Sequence, residues 1–244
     1  MKLVNVTLTG ADSSVDPNDL AEISREYPFV EWGILFSKSK VGQPRYPTIE
    51  WVEKLAEVVR REASKLILMS LSAHLCGSLV EDAINGNISF INEPYADIFE
   101  KIQLNMGKKV KQAIECKPLI EAVKKITSHE IIFGGDYSLV DDCDVLWQNC
   151  ISPLFDASGG RGLEAKDWKK PLKSSLGIRI LHGYAGGIGP DNVVEELKKL
   201  KYVVDDSNFP NSFIWIDMET KIRNNDVFDL EKCRQALKLT FPWA

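Results

Sequence analysis

Four positions in this 244-residue chain carry side chains that could move a proton and are spaced as if each ended a separate apolar run: Thr9, His74, Asp156 and His182. Asp156 closes the buried run PLFD directly before the glycine loop SGGRG. That places a carboxyl where an acid or base would face a closed pocket. His74 lies in SAHLCG and His182 comes after IRIL. Each reads either as a general base at a strand end or as a core histidine bonded to backbone. Around them stand groups suited to holding an anion. The string GYAGGIGPDNV sets Gly186 and Gly187 before Pro190 and Asp191, a glycine turn opening a helix, where backbone N–H groups can approach phosphate closely. Arg161 could clamp a phosphate or carboxylate, Gly159 and Gly160 make the loop that carries it, and Arg45, Asp12 and Glu219 come after other strand ends. Asp191 as a simple helix cap and Asp156 as a cap for its own loop are the plainer alternatives.

Such groups must be brought together by the elements between them. Short apolar runs alternate with amphipathic segments, the pattern of repeated βα units around a parallel sheet. Eight strands are expected, at Leu3 to Thr9, Phe29 to Phe36, Leu66 to Ser72, Phe99 to Asn105, Glu130 to Gly134, Pro153 to Asp156, Ile178 to His182 and Phe213 to Asp217. Helices are expected over 18–26, 48–64, 108–126, 191–202 and 229–239, whereas 82–97 and 137–151 give no clear period. At about 30 residues per unit, with no repeat or linker, the fold class is α/β and residues 1–244 form a single (β/α)8 TIM barrel. In such a barrel the site lies at the C-terminal ends of the strands, which gathers Thr9 and Asp12, Arg45, His74 and Cys76, Asn105, Asp156 to Arg161, His182 to Gly187, and Asp217, Glu219 and Lys221 on one rim.

Composition narrows the chemistry. The net charge of −5 argues against nucleic acid as a partner, although a local basic pocket for a phosphorylated small molecule remains compatible with it. The five cysteines include no CxxC pair and no run of 18 apolar residues occurs, so a reducing, cytoplasmic location without membrane association is expected. His-x-Cys alone has too few ligands for a metal, and no metal or other cofactor is expected. There is no nucleophile elbow or P-loop, and no lysine in the sixth or seventh strand run to serve a Schiff-base aldolase.

Read together, the strings WGILFSKSKVGQPRYPTIEWVEKLA, KIQLNMG, FDASGGRG, YAGGIGPDNV and WIDMET with FDLEKCRQAL resemble the phosphoribosylanthranilate isomerase family over most of the chain. A divergent, isomerase-like branch of that family shares the RYPT, HLCG and DME strings. The resemblance implies a (β/α)8 barrel catalysing an Amadori rearrangement of a phosphoribosyl-amine, with Asp156 as general acid, Arg45 as the substrate-loop arginine, and Gly186 and Gly187 binding phosphate. It also exposes two departures. The family's general base is a cysteine before glycine at the end of strand 1, where this chain has Thr9 and Gly10, and an alcohol is far less acidic than a thiol. The family's Ser-Gly after strand 8 is replaced by Asp217, Met218, Glu219 and Thr220. The expected function is therefore acid/base rearrangement of a small phosphorylated sugar conjugate, with His74, His182 or Asp12 standing in as base. The alternative is a non-catalytic protein that binds or sequesters a phosphorylated or nucleotide-like molecule.

Overall fold

The computed structural model describes residues 1–87, 89–105, 129–134, 151–156, 163, 165–171, 181–205 and 212–244. Eight parallel strands close in sequence order: β1 (Lys2–Thr9), β2 (Val30–Phe36), β3 (Ser70–Cys76), β4 (Lys101–Asn105), β5 (Glu130–Gly134), β6 (Ile151–Asp156), β7 (His182–Ala185) and β8 (Phe213–Met218). The described helices are α1 (Pro17–Glu26), α2 (Ile49–Ala63), α3 (Ser78–Ile84), α4 (Val193–Asp205) and α5 (Leu230–Thr240). A two-stranded hairpin, β9 (Arg223–Asn224) with β10 (Val227–Phe228), comes after β8. The TIM barrel expected from the alternation of apolar and amphipathic runs is thus observed. The helix expected over 108–126 and the unclear stretch 137–150 lie outside the described residues.

Helix starts match their capping residues. Thr48 accepts from the N–H of Trp51, Asp16 from Asn18, and Asp229 from Glu231 and Lys232, which satisfies amide groups that have no partner within the first turn. The stretch 82–97, without a clear period, resolves into the end of α3 and two 3-10 turns, Ser89–Asn92 and Ala96–Ile98.

Two strand assignments need correction, and both move candidate residues. Strand 3 runs four residues beyond its expected end, so His74 and Cys76 lie within β3 rather than after it. The apolar residues Leu66 and Leu68, expected to start that strand, are largely exposed, and Leu66 takes a positive φ of 64°. Strand 7 begins at His182 instead of ending there, because the strand that continues the sheet is HGYA, in register with Leu154 to Asp156 of β6.

Alternation along each strand separates two environments. Val6, Leu8, Trp32, Ile34, Leu71, Ala73, Ile102, Leu104 and Tyr184 face outward into one large core with Leu20, Val52, Leu55, Leu197 and Leu237 of the helices. The intervening residues face the barrel interior. On β5 to β8 these include Ile132, Leu154 and Trp215, a small apolar cluster of their own. On β1 to β4 they include Asn5, Thr7, Thr9, Glu31, Ser72, His74, Lys101, Gln103 and Asn105, with Gly33 and Leu35 beside Glu31 on β2. The sequence pattern suggests near-continuous apolar strands, but in this half the inward face is mainly polar.

Candidate active site at the C-terminal rim

The register of β6, β7 and β8 places Asp156, Ala185 and Asp217 side by side at the end of the sheet. With adjacent strands about 5 Å apart, the two aspartates' backbones are about 10 Å apart, separated on the inner face only by the methyl of Ala185. Immediately after Ala185 the chain enters a glycine turn, with φ of 123° at Gly186 and 63° at Gly187. Asn192 pins this turn to the start of α4: its Oδ1 accepts from the Gly189 N–H at 2.8 Å and its Nδ2 donates to the Gly187 carbonyl at 2.9 Å. Asp156 and the Gly186–Gly187 turn are therefore neighbours on one rim, as the strand-end argument requires.

Asp217 is the group missing from the proton-transfer candidates. Sequence reasoning places it only on the rim and in the stretch replacing Ser-Gly. Its buried carboxylate accepts a hydrogen bond from Thr9 Oγ1 at 2.7 Å. Burial drives its pKa up, the Thr9 hydrogen bond works against that, and the negative charges of Glu219, Asp156 and Glu31 add to the rise, leaving it at about 8. Its signal in the sequence is a carboxylate ending an otherwise apolar strand, the same signal that singles out Asp156.

Thr9 and His74 converge over Gly33. A Cβ at Gly33 would lie 2.3 Å from Thr9 Oγ1 and 2.9 Å from His74 Nε2, so only glycine lets these side chains meet across β2. His74 is not at the mouth. It is fully buried, with Nε2 3.0 Å from Ser72 Oγ and Nδ1 3.2 Å from the Gln103 amide nitrogen, and burial lowers its pKa to about 3. With Gln103 donating to Nδ1, the ring proton sits on Nε2 and points to Ser72. A neutral imidazole with both nitrogens engaged inside the barrel is a core histidine, not a base facing ligand. The expectation for His182 is corrected too: at the first residue of β7 it lies at the opposite end from the rim and on the outward face, buried.

Asp12 acts as a strut. Its Oδ2 accepts from the Arg45 backbone N–H and from Arg223 Nη2, both at 2.7 Å, and its Oδ1 accepts from Ser14. Burial pushes its pKa upward, but these donors outweigh that and hold it below the usual carboxylate value. Arg223 also donates to the Gly10 carbonyl at 2.6 Å, so the loops after β1, β2 and β8 are tied at one point. Arg45, with a positive φ of 75°, turns its guanidinium to Glu219 at 2.6 Å and Asp226 at 2.7 Å. The carboxylate of Glu219 is thus neutralised by Arg45 instead of standing unpaired beside a phosphate. Cys76 hydrogen-bonds with Asn105 Nδ2 at 3.5 Å and with the Tyr46 hydroxyl, and burial raises the pKa of its thiol. Lys221 packs its stem against Gly189 and reaches Asp191 at 3.2 Å. Gly159, Gly160 and Arg161 lie outside the described residues. Among the described residues no group of three or more His, Cys, Asp or Glu comes together to hold a metal ion, and no helix is long and apolar enough to cross a membrane.

No protein-family model matches the chain. An N-(5'-phosphoribosyl)anthranilate isomerase of Zygosaccharomyces bailii is 30% identical over 111 residues, which are 45% of this chain and 47% of that protein, so the match spans about half of its length. The solved structure of N-(5'-phosphoribosyl)anthranilate isomerase from Pyrococcus furiosus superposes with a TM-score of 0.53 over 98% of this chain and 99% of that one, at 12% identity, a likeness of fold. The chain is thus similar in sequence to a phosphoribosylanthranilate isomerase over about half of its length and shares the closed barrel fold of another.

Proposed function

We propose that this rim binds a small phosphorylated sugar conjugate, a ribosylamine 5-phosphate in the first instance, and isomerises it by acid/base proton transfer. The supporting observation is the pairing of Asp156 with Ala185, which puts a carboxyl one strand away from the Gly186–Gly187 turn. A phosphate seated on the turn's amides, with the helix dipole of α4 behind it, would lay the sugar across the barrel mouth towards Asp156. Asp156 would then give its proton to the ring oxygen as the C1–O bond breaks, the nitrogen lone pair forming C=N. Arg45 and Glu219 flank this mouth as a pair, so an incoming anion meets a compensated site and not a bare carboxylate.

The test is to offer N-(5'-phosphoribosyl)anthranilate to the full chain and monitor the ketose product by NMR. Turnover is expected, and Asp156→Asn should lower kcat by about 100-fold while the dissociation constant for ribose 5-phosphate stays near that of the wild type. Undiminished turnover in Asp156→Asn would remove that residue from the chemistry. Tight binding with no product would instead favour the sequestering reading, which the replacement of the family's cysteine by Thr9 already favours.

A further inference from the structure

We infer that Asp217 is the proton-accepting catalytic residue of this site, and that Thr9 is the positioning residue that aims its carboxylate. The inference rests on the isomerase reading above and supplies the base which that reading lacks. Thr9 stands where the family has its basic cysteine, yet its hydroxyl is already committed as a donor, 2.7 Å from Asp217 Oδ1. A hydroxyl that donates to a carboxylate is not itself being activated as a base; the carboxylate is being held. That carboxylate lies in register with Asp156 across Ala185, so the two carboxyls end strands two apart, with backbones about 10 Å from each other.

The alternatives are engaged or placed elsewhere. His74 spends both ring nitrogens on Ser72 and Gln103, His182 begins β7 at the other end of the barrel, and Asp12 is saturated by Ser14, Arg45 and Arg223.

The proton balance closes with these two groups alone. After Asp156 has protonated the ring oxygen, the Asp217 carboxylate takes the proton from C2. The C–H pair becomes C1=C2 and the C=N pair returns to nitrogen, giving an enaminol. The proton on Asp217 then goes to C1 as the enol collapses to the ketone, and the C2 hydroxyl proton returns to Asp156, so neither carboxyl ends with a net change.

Basicity fits the role. An ordinary carboxylate is a weak base for a carbon acid, but the buried Asp217, at about 8, approaches the basicity of the thiolate it would replace. The groups that set this value are Glu219 at the end of its own strand, Asp156 on β6 and Glu31 on β2, opposed by the Thr9 hydrogen bond from β1; Ala185 on β7 brings no charge. Glu31 is itself paired with Lys101, and Glu219 with Arg45.

The experiment measures kcat against pH for N-(5'-phosphoribosyl)anthranilate in the wild type, Asp217→Asn, Thr9→Val and Thr9→Ser, with ribose 5-phosphate binding measured in parallel. Because turnover needs Asp217 without its proton and Asp156 with one, the wild-type profile is expected to be bell-shaped, with the limb set by Asp217 near pH 8. Asp217→Asn should bind ribose 5-phosphate as the wild type does and lose about 100-fold in kcat. Thr9→Val should move the limb set by Asp217 to higher pH, because the hydrogen bond that lowers Asp217 is gone, and Thr9→Ser should restore it. That shift is a readout that survives if Asp217→Asn fails to fold. Wild-type turnover in Asp217→Asn, or a limb unmoved in Thr9→Val, overturns the assignment while leaving the isomerase reading intact. No turnover in the wild type overturns both.

Discussion

The two halves of the barrel interior are filled by different means. On β5 to β8 the middle of the barrel is closed by Ile132, Leu154 and Trp215, with Gly183 leaving room for the indole. On β1 to β4 the same depth holds Thr7, Glu31, Lys101, Ser72, His74 and Gln103, joined by hydrogen bonds: Thr7 Oγ1 to Glu31 at 2.9 Å, Lys101 Nζ to Glu31 at 2.5 Å, and Ser72 to His74 to Gln103 to Asn105. In the apolar half a substitution must preserve volume. In the polar half it must preserve partnership, since a buried polar group that loses its partner bears the whole cost of leaving water. Gln103 Oε1 already lacks a partner among the described residues. The chemistry lies at the seam: Asp217, from the apolar half, takes its hydrogen bond from Thr9, of the polar half.

The largest difference between the halves is expected when a buried charge loses its partner. Glu31 is fully buried and Lys101 partly so, so Glu31→Ala takes from the ammonium its hydrogen-bonded carboxylate, leaving only the more distant Glu130 and Glu100, and should cost about 3 kcal/mol by chemical denaturation. In the apolar half, Gly183→Ala should cost about 2 kcal/mol, because the new Cβ would lie 2.2 Å from the Trp215 ring and 2.6 Å from Leu154 Cδ1. A larger loss in Gly183→Ala than in Glu31→Ala would reverse the ranking and show that packing, not pairing, dominates throughout.

A finer test uses pH, since His74 and Asp217 pull in opposite directions. His74 titrates at about 3 when folded against an ordinary 6.5, so the unfolded chain binds the extra proton and stability falls as pH drops from 6.5 towards 3. Asp217 titrates at about 8 against an ordinary 3.8, so the folded chain holds the extra proton and stability falls as pH rises from about 4 to 8. Each slope is about 1.4 kcal/mol per pH unit. They cancel between about pH 4 and 6.5, leaving a decline from 6.5 to 8 that belongs to Asp217. Denaturation across that window should show the decline in the wild type and its loss in Asp217→Asn; an equal decline in the variant would remove Asp217 as its source.

The barrel is legible in the sequence because its signals are local. Thr48 before an amphipathic run, Pro and Asp ahead of GYAGG's helix, and eight apolar runs at regular spacing each depend only on neighbours in the chain. Polar residues at every second position, Asn5, Thr7 and Thr9 on β1, Ser72 and His74 on β3, also stand in the sequence and mark an inward polar face, yet they are easily absorbed into runs that look apolar throughout. Errors arise where length alone has to fix a boundary. Leu66 and Leu68 look like a strand start, and IRIL looks like the whole of strand 7. Register with β2 and β6 decides otherwise, because a strand extends where its hydrogen-bonding groups find partners, not where its side chains are most apolar.

By itself, then, the sequence determined the architecture, the rim at which chemistry would be sought, and the presence of Asp156 and a glycine turn after the seventh strand. Which carboxylate stands beside Thr9, whether His74 meets solvent or Ser72, and whether Glu219 is bare or bound to Arg45 were decided only by the closed barrel. Those partners are separated by up to 208 residues along the chain. Burial, which sets the charge on Asp217 and His74, is a property of the assembled interior that no single segment carries.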